Sequence, residues 1–304
     1  MVDVVRRSEV VPVEDGTRLE LEIFEQEEGR GAPVLLCLPA MGVPARYYEP
    51  FALELHRRGF HVVTSDLRGH GASSVRVGRG TDFGYYEMVA RDLGAVVRAV
   101  RAAFQDSPLF LVGHSLGGQL GSLYLGLEGE GVRGLVLVAA SSVYYRNYGA
   151  LGGVKVLLGT QLAAVIAAVW GYFPGRRLRF ADNESVRVIQ DWARQARRGR
   201  YVLSGAAQDF EALLARVERP VLAISVDGDS LAPPAAVEHL SGKMPRARVV
   251  RWHFTQSDAG GAHLDHFRWV RHGAPVAARI AGWVGEVLAG EAGAGQDPRT
   301  EGRP

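Results

Sequence analysis

The chain of 304 residues holds one cysteine, Cys37. No intramolecular disulfide can form, so an oxidising compartment is not required. Set in the apolar run 33–38, Cys37 reads as a small buried hydrophobe and not as a nucleophile. Lysine is nearly absent: Lys155 and Lys243 are the only two among 35 basic residues. With abundant Ala, Gly and Val, this arginine excess reads as the codon bias of a GC-rich bacterial genome. A charge excess of either sign is missing too. The 35 basic and 33 acidic residues leave +2, too weak a field to ask for nucleic acid. No apolar h-region stands near the N-terminus, so no signal peptide is expected and a cytoplasmic protein is. There is no HExxH pattern and no cysteine cluster. The group Asp258, His263, Asp265 and His266 is thin evidence for zinc, and no metal is expected. No G-x-G-x-x-G follows the first core strand, which removes the dinucleotide reading and leaves no cofactor expected. Composition that is 47% apolar and 22% charged excludes a disordered chain, a coiled coil and a disulfide-stapled miniprotein.

One long hydrophobic run is present. Residues 156–173 carry no formal charge and reach the minimal length of a membrane span. Gly159, Thr160 and Gln161 interrupt it, Pro174 follows at once, and no second run accompanies it. The expectation is a hydrophobic helix folded over the core, with no membrane span.

Short apolar runs lie at 34–38, 61–65, 109–112, 135–139, 221–225 and 248–254. All but the last lack alternation, as strands buried on both faces of a parallel sheet do. Residues 8–25 read as a hairpin, with Glu14-Asp15-Gly16 in the turn. Between the runs, Val89, Leu93, Val96 and Val100 keep helical spacing, as do Leu116, Leu120, Leu123 and Leu127. Strand–helix alternation predicts an α/β layered fold with a mostly parallel sheet. The alternation breaks at 141–215, which reads as an inserted helical cap on a core of 1–140 and 216–289. The tail, 290–304, lacks apolar periodicity and is expected to be disordered.

The sharpest local signal is Gly113-His114-Ser115-Leu116-Gly117, after a strand and before a helix. A strand that turns sharply into a helix leaves Ser115 at the tip in a strained conformation. The flanking glycines permit the close approach, and the helix N-terminus aims free N–H groups at the same place. A serine hydroxyl then needs a base, and the base an orienting acid, in the chain order Ser, acid, His. No Asp or Glu occurs from Arg133 to Ala181, so the acid falls after the next strand. Asp229 is preferred there, with Asp227 in reserve as a turn residue beside Gly228. Of the later histidines, the loop pair His263 and His266 remains, and His266 is favoured because it directly precedes the last helix. Two N–H donors complete an oxyanion hole: Leu116, after the nucleophile, and Met41, in the loop after the first parallel strand.

These residues resemble the α/β-hydrolase superfamily over roughly residues 10–288. Asp66-Leu-Arg-Gly-His-Gly-Ala-Ser73 is another of its marks. A closer resemblance is to bacterial α/β-hydrolases of unassigned substrate. It rests on Pro39-Ala-Met-Gly-Val-Pro-Ala-Arg-Tyr, Gly113-His-Ser-Leu-Gly-Gly-Gln, Tyr172-Phe-Pro-Gly-Arg-Arg-Leu, Asp229-Ser-Leu-Ala-Pro-Pro-Ala-Ala-Val and His266-Phe. The resemblance implies triad roles for Ser115, Asp229 and His266. Two departures stand out. Pro39-Ala40 replaces the His-Gly of many superfamily members, and Asp265 stands where a Gly often precedes the catalytic His.

The function expected is hydrolysis of an ester or thioester of a small apolar or acyl substrate through an acyl-enzyme. Met41, Tyr144, Tyr145 and Tyr148 are expected to line the pocket. The alternatives are a lyase or cyclase on the same fold, and a ligand-binding pseudoenzyme. The arginines at 176, 177, 179, 194, 197, 198 and 200 read as a solvated face, or as a meeting place for an acidic acyl carrier protein.

Overall fold

The computed structural model describes residues 5–27 and 29–294. Eight strands form one sheet in the order β1-β2-β4-β3-β5-β6-β7-β8. They are β1 (Val5–Pro12), β2 (Arg18–Glu25), β3 (Val34–Leu38), β4 (His61–Ser65), β5 (Leu109–His114), β6 (Val132–Val138), β7 (Val221–Val226) and β8 (Val249–Phe254). β1 and β2 form the expected hairpin, and β2 runs antiparallel to β4. All other neighbours are parallel. Every residue of β3, β4, β5 and β7 is buried, which is why those runs showed no alternation.

Helices cover both faces: α1 (Glu49–His56), α2 (Gly94–Ala103), α3 (Leu116–Leu127), α4 (Gly149–Trp170), α5 (Gly175–Leu178), α6 (Val186–Arg198), α7 (Phe210–Leu214), α8 (Pro234–Ser241) and α9 (Ala274–Ala294). Two neighbours in β5 assign the sides. Phe110 packs edge-on against Trp283 of α9, while a Cβ on Gly121 of α3 would contact Leu111. Adjacent residues of a strand face opposite ways, so α9 and α3 lie on opposite faces. α9 also corrects one expectation. Residues 290–294, read as the start of a disordered tail, continue this helix. Two glycines weaken the local helix signal there, and a tertiary contact, Arg133 with Glu291 at 3.3 Å, accompanies the extension. Residues 295–304 of that tail lie outside the described residues.

The segment between β6 and β7 carries α4 to α7. It divides physically. Phe210 and Leu214 of α7 belong to the main core, and Leu213 closes on Gly126 of α3. α4 and α6 pack on each other through a separate small cluster that includes Ala163, Ala167, Phe173 and Ile189. α4 buries Gly153, Thr160, Ala163 and Ala167, all small, so the two helices approach closely. Ile166 joins that cluster, but most of the other large side chains point the other way. Leu151, Leu158, Leu162 and Val169 are exposed, so the apolar run expected to fold away against the core does so on one face only.

A buried ion pair fastens this insertion to the core. His70, in the turn after β4, lies 2.8 Å from Glu184, and both are essentially inaccessible. Beyond α4 the chain is pinned by a two-way bridge, Phe173 N–H to Glu184 O and Glu184 N–H to Phe173 O. Burial would lower the His70 pKa, but the Glu184 and Asp182 carboxylates reverse this and hold it up at about 10. A raised histidine pKa means that the pair's stabilisation is full below the unfolded value near 6.5 and is lost as pH rises through about 10. Glu184→Gln, which leaves the buried imidazolium only the more distant Asp182 at 3.8 Å, should cost about 3 kcal/mol at neutral pH. In urea melts the gap to wild type should narrow as the pH passes 10. A gap independent of pH would show that the pair does not titrate as argued.

Candidate active site

The sheet order places the site. From β3 the chain moves outward to β4 and then returns to the other side of β3 as β5. A crevice opens where the strand order reverses, at the carboxyl ends of β3 and β5. Leu38 and Gly113 are register partners there, so the loop after β3 and the turn after β5 start side by side.

Ser115 is that turn. Its φ of 52° and ψ of −116° lie in a region L-residues avoid, at a cost of about 1–3 kcal/mol. The neighbours explain why the turn is so tight. A Cβ on Gly113 would strike the Gly118 backbone, and one on Gly117 would strike the Leu38 carbonyl. Only glycine lets α3 start this close to β3.

The other partners come from loops far along the chain. Asp229 follows β7 and is fully buried at its carboxylate. One oxygen accepts from the Leu231 and Ala232 amides at 2.8 Å each. The other accepts from His266 Nδ1 at 2.8 Å. His266 is buried, and its Nε2 lies 3.0 Å from Ser115 Oγ. With Nδ1 donating to Asp229, Nε2 carries the lone pair and faces the hydroxyl. The structure thus brings together Ser115, Asp229 and His266. Asp227 stays apart, with its carboxylate 3.5 Å from the Gln256 amide, and His263 is exposed. Asp265 accepts from the Phe267 and Arg268 amides at 2.8 and 2.7 Å. It caps the turn that carries His266 and does not bond the imidazole.

The two amides expected to form the oxyanion hole lie at the start of α3 and in the loop after β3. Leu116 is the first residue of α3, so its N–H has no acceptor within the helix. Met41 takes the second position of a turn closed by Val43 N–H to Ala40 O at 3.1 Å. Gly42 supplies the positive φ of 69° that the third position needs. A Cβ on Gly42 would collide with the backbone at Asp182, so the insertion touches this loop directly.

Sequence reasoning missed Tyr48 and His114. The Tyr48 hydroxyl accepts from Ala40 N–H at 2.9 Å and gives its own proton to His114 Nδ1 at 2.6 Å. The two bonds tie the loop after β3 to the elbow. Complete burial and the neighbouring His266 push the His114 pKa well below its usual range, so it stays neutral and can accept at Nδ1. Its ring stacks 4.8 Å from that of His266. Position 114 inside the elbow motif was a usable signal. Tyr48 was not, because nothing local marks its reach.

Of the tyrosine cluster, Tyr148 touches the acid loop and donates to Leu231 O at 2.9 Å. Burial pushes its phenol up to about 12. Tyr144 packs on Tyr145 and on His239 of α8. Met41 is half-buried against the cluster of Ala163, Phe173 and Ile189. Cys37 lies within β3, and burial pushes its thiol up to about 12, which leaves it inert. Among the described residues no group of three or more His, Cys, Asp or Glu is placed to hold a metal ion.

The sequence pattern of the family described as serine aminopeptidase, S33, matches residues 32–255. A non-heme haloperoxidase of Rhodococcus erythropolis is 29% identical over 248 residues, 74% of this chain and 83% of the relative. Among solved structures, a thermostable carboxyl esterase from Bacillus coagulans aligns with a TM-score of 0.60 at 17% identity, over 93% of this chain and 99% of that one. A thioesterase domain from the curacin biosynthetic pathway gives 0.56 at 18% identity, over 93% and 99%. At such identities the two structures share the fold, and the sequence match adds the family. The chain belongs to the serine aminopeptidase S33 family of α/β-hydrolases.

Proposed function

We propose that this protein is a serine hydrolase that cleaves an ester or thioester of an apolar acyl group through an acyl-enzyme. The observation that carries the reading is the unbroken relay from Asp229 through His266 to Ser115, at 2.8 and 3.0 Å. In this reading His266 Nε2 takes the Oγ proton as Ser115 attacks the acyl carbon. The carbonyl oxygen becomes an oxyanion and is held by the Met41 and Leu116 N–H groups. Asp229 stabilises the imidazolium, which then protonates the departing alkoxide or thiolate. Water, deprotonated by the same histidine, releases the acid. The helices α4 to α6 act as a cap that keeps bulk water from the oxyanion. The acyl chain would lie against Met41 and the small apolar cluster behind it, where each buried methylene contributes about 0.8 kcal/mol. We place the enzyme in the cytoplasm, where a single buried thiol suffices.

Ser115→Ala should lower hydrolysis of an activated ester by roughly four to six orders of magnitude. It should also abolish labelling by a fluorophosphonate. Turnover near the wild-type rate would point instead to direct attack by water, with His266 as its general base and no acyl-enzyme. Asp229→Asn should cost roughly 10⁴-fold in kcat, whereas Asp227→Asn should leave activity within about a factor of three, as for a surface substitution. The reverse ranking would move the acid by two positions. A series of p-nitrophenyl esters should show kcat/KM rising from acetate to medium-chain acyl groups. A flat or acetate-favouring profile rejects the apolar acyl site.

A further inference from the structure

The most unusual surface of the molecule is the outer face of α4. Leu151, Val154, Leu158, Leu162, Val165 and Val169 recur at steps of three and four, so they line one face of the helix. Each is between 54% and 82% exposed. At about 1.5 Å per residue the stripe from Leu151 to Val169 of this helix is about 27 Å long. Unbroken apolar patches of this extent mark a binding surface.

The charge around the stripe is one-sided. Residues 141–215 contain ten cations and five carboxylates, Asp182, Glu184, Asp191, Asp209 and Glu211, the last of which pairs with Lys243. Glu184 and Asp191 are buried, and Asp182 is paired with Arg176. The charge left at the surface of the insertion is therefore positive, carried by exposed groups such as Lys155, Arg177 and Arg179. At the C-terminal end of α4 cations and apolar side chains interleave. Arg177 sits over the Trp170 ring, and Leu178 and Phe180 are exposed beside it.

We infer that α4 docks this protein on an anionic lipid surface, lying in the interface plane with its apolar stripe in the acyl region and the surrounding cations at the headgroups. An apolar face bordered by Arg and Lys, with an indole at its end, is the composition such helices require. By length and composition the helix could also cross a membrane, but its other face is committed to α6 through Ala163 and Ala167. Only one side is free to meet lipid. A second copy of the chain is a poorer occupant. Two such faces brought together would set cations against cations. The inference does not depend on the proposed chemistry, and its test needs none.

Wild-type protein should float with phosphatidylcholine vesicles containing about 30% phosphatidylglycerol and bind pure phosphatidylcholine vesicles about ten-fold or more weakly, with the difference closing in high salt. Leu158→Glu/Leu162→Glu should lose binding to the anionic vesicles by about ten-fold or more, because it charges the centre of the stripe. Lys155→Gln/Arg177→Ser should weaken it by a smaller factor. All three proteins should melt alike, which shows that the variants fold. Three results would overturn the inference. The wild type could remain unbound with the anionic vesicles. The Glu variant could float as well as wild type. A wild-type dimer in gel filtration that the Glu variant converts to monomer would assign the stripe to a second copy.

Discussion

The site depends on how closely α3 approaches the sheet. Gly117 lies against the Leu38 carbonyl and Gly113 against Gly118, with no room for a Cβ at either. That approach forces Ser115 to positive φ and brings the first free amide of α3 beside the loop after β3. The strain at one residue is small against the burial of the surrounding strands, every residue of which is shielded at β3 and β5. A packed interior cannot yield locally to relieve it. The nucleophile candidate is therefore held in place by the core and not by its own contacts.

The remaining groups reach the same point by separate routes. β7 delivers Asp229 with one oxygen already satisfied by two amides, which leaves the other for His266. The turn after β8 delivers His266, and Asp265 fixes that turn from below. Tyr48 links the amide of Ala40 to His114, so the loop bearing Met41 and the elbow bearing Ser115 share a hydrogen-bond path. A buried polar path of this kind restricts its members to one arrangement because any break leaves a desolvated group unpaired.

The insertion joins this system at two places. The segment at 181–182 closes on Gly42, and Glu184 meets His70 of the turn after β4. The inner face of α4 shares its small apolar cluster with Met41. Its outer face is left apolar and exposed. One helix thus has one packed and one exposed face, and small residues on the inner side make the division.

The sequence by itself determined the architecture and most of the candidate site. Strands buried on both faces read as continuous apolar runs. The elbow declared itself through glycines that only a close backbone approach demands. The absence of acids from Arg133 to Ala181 left Asp229 and Asp227 as the choices. What local pattern could not supply was decided by tertiary structure. Asp229 and Asp227 stand two residues apart in one loop, and only the position of His266 distinguishes them. Tyr48 and Glu184 carry no motif; their partners, His114 and His70, lie 66 and 114 positions away in sequence. The orientation of α4 was hidden for a different reason. The helix is apolar all round, so no period marks a face, and the packing of Ala163 and Ala167 on α6 alone turned its leucines and valines outward.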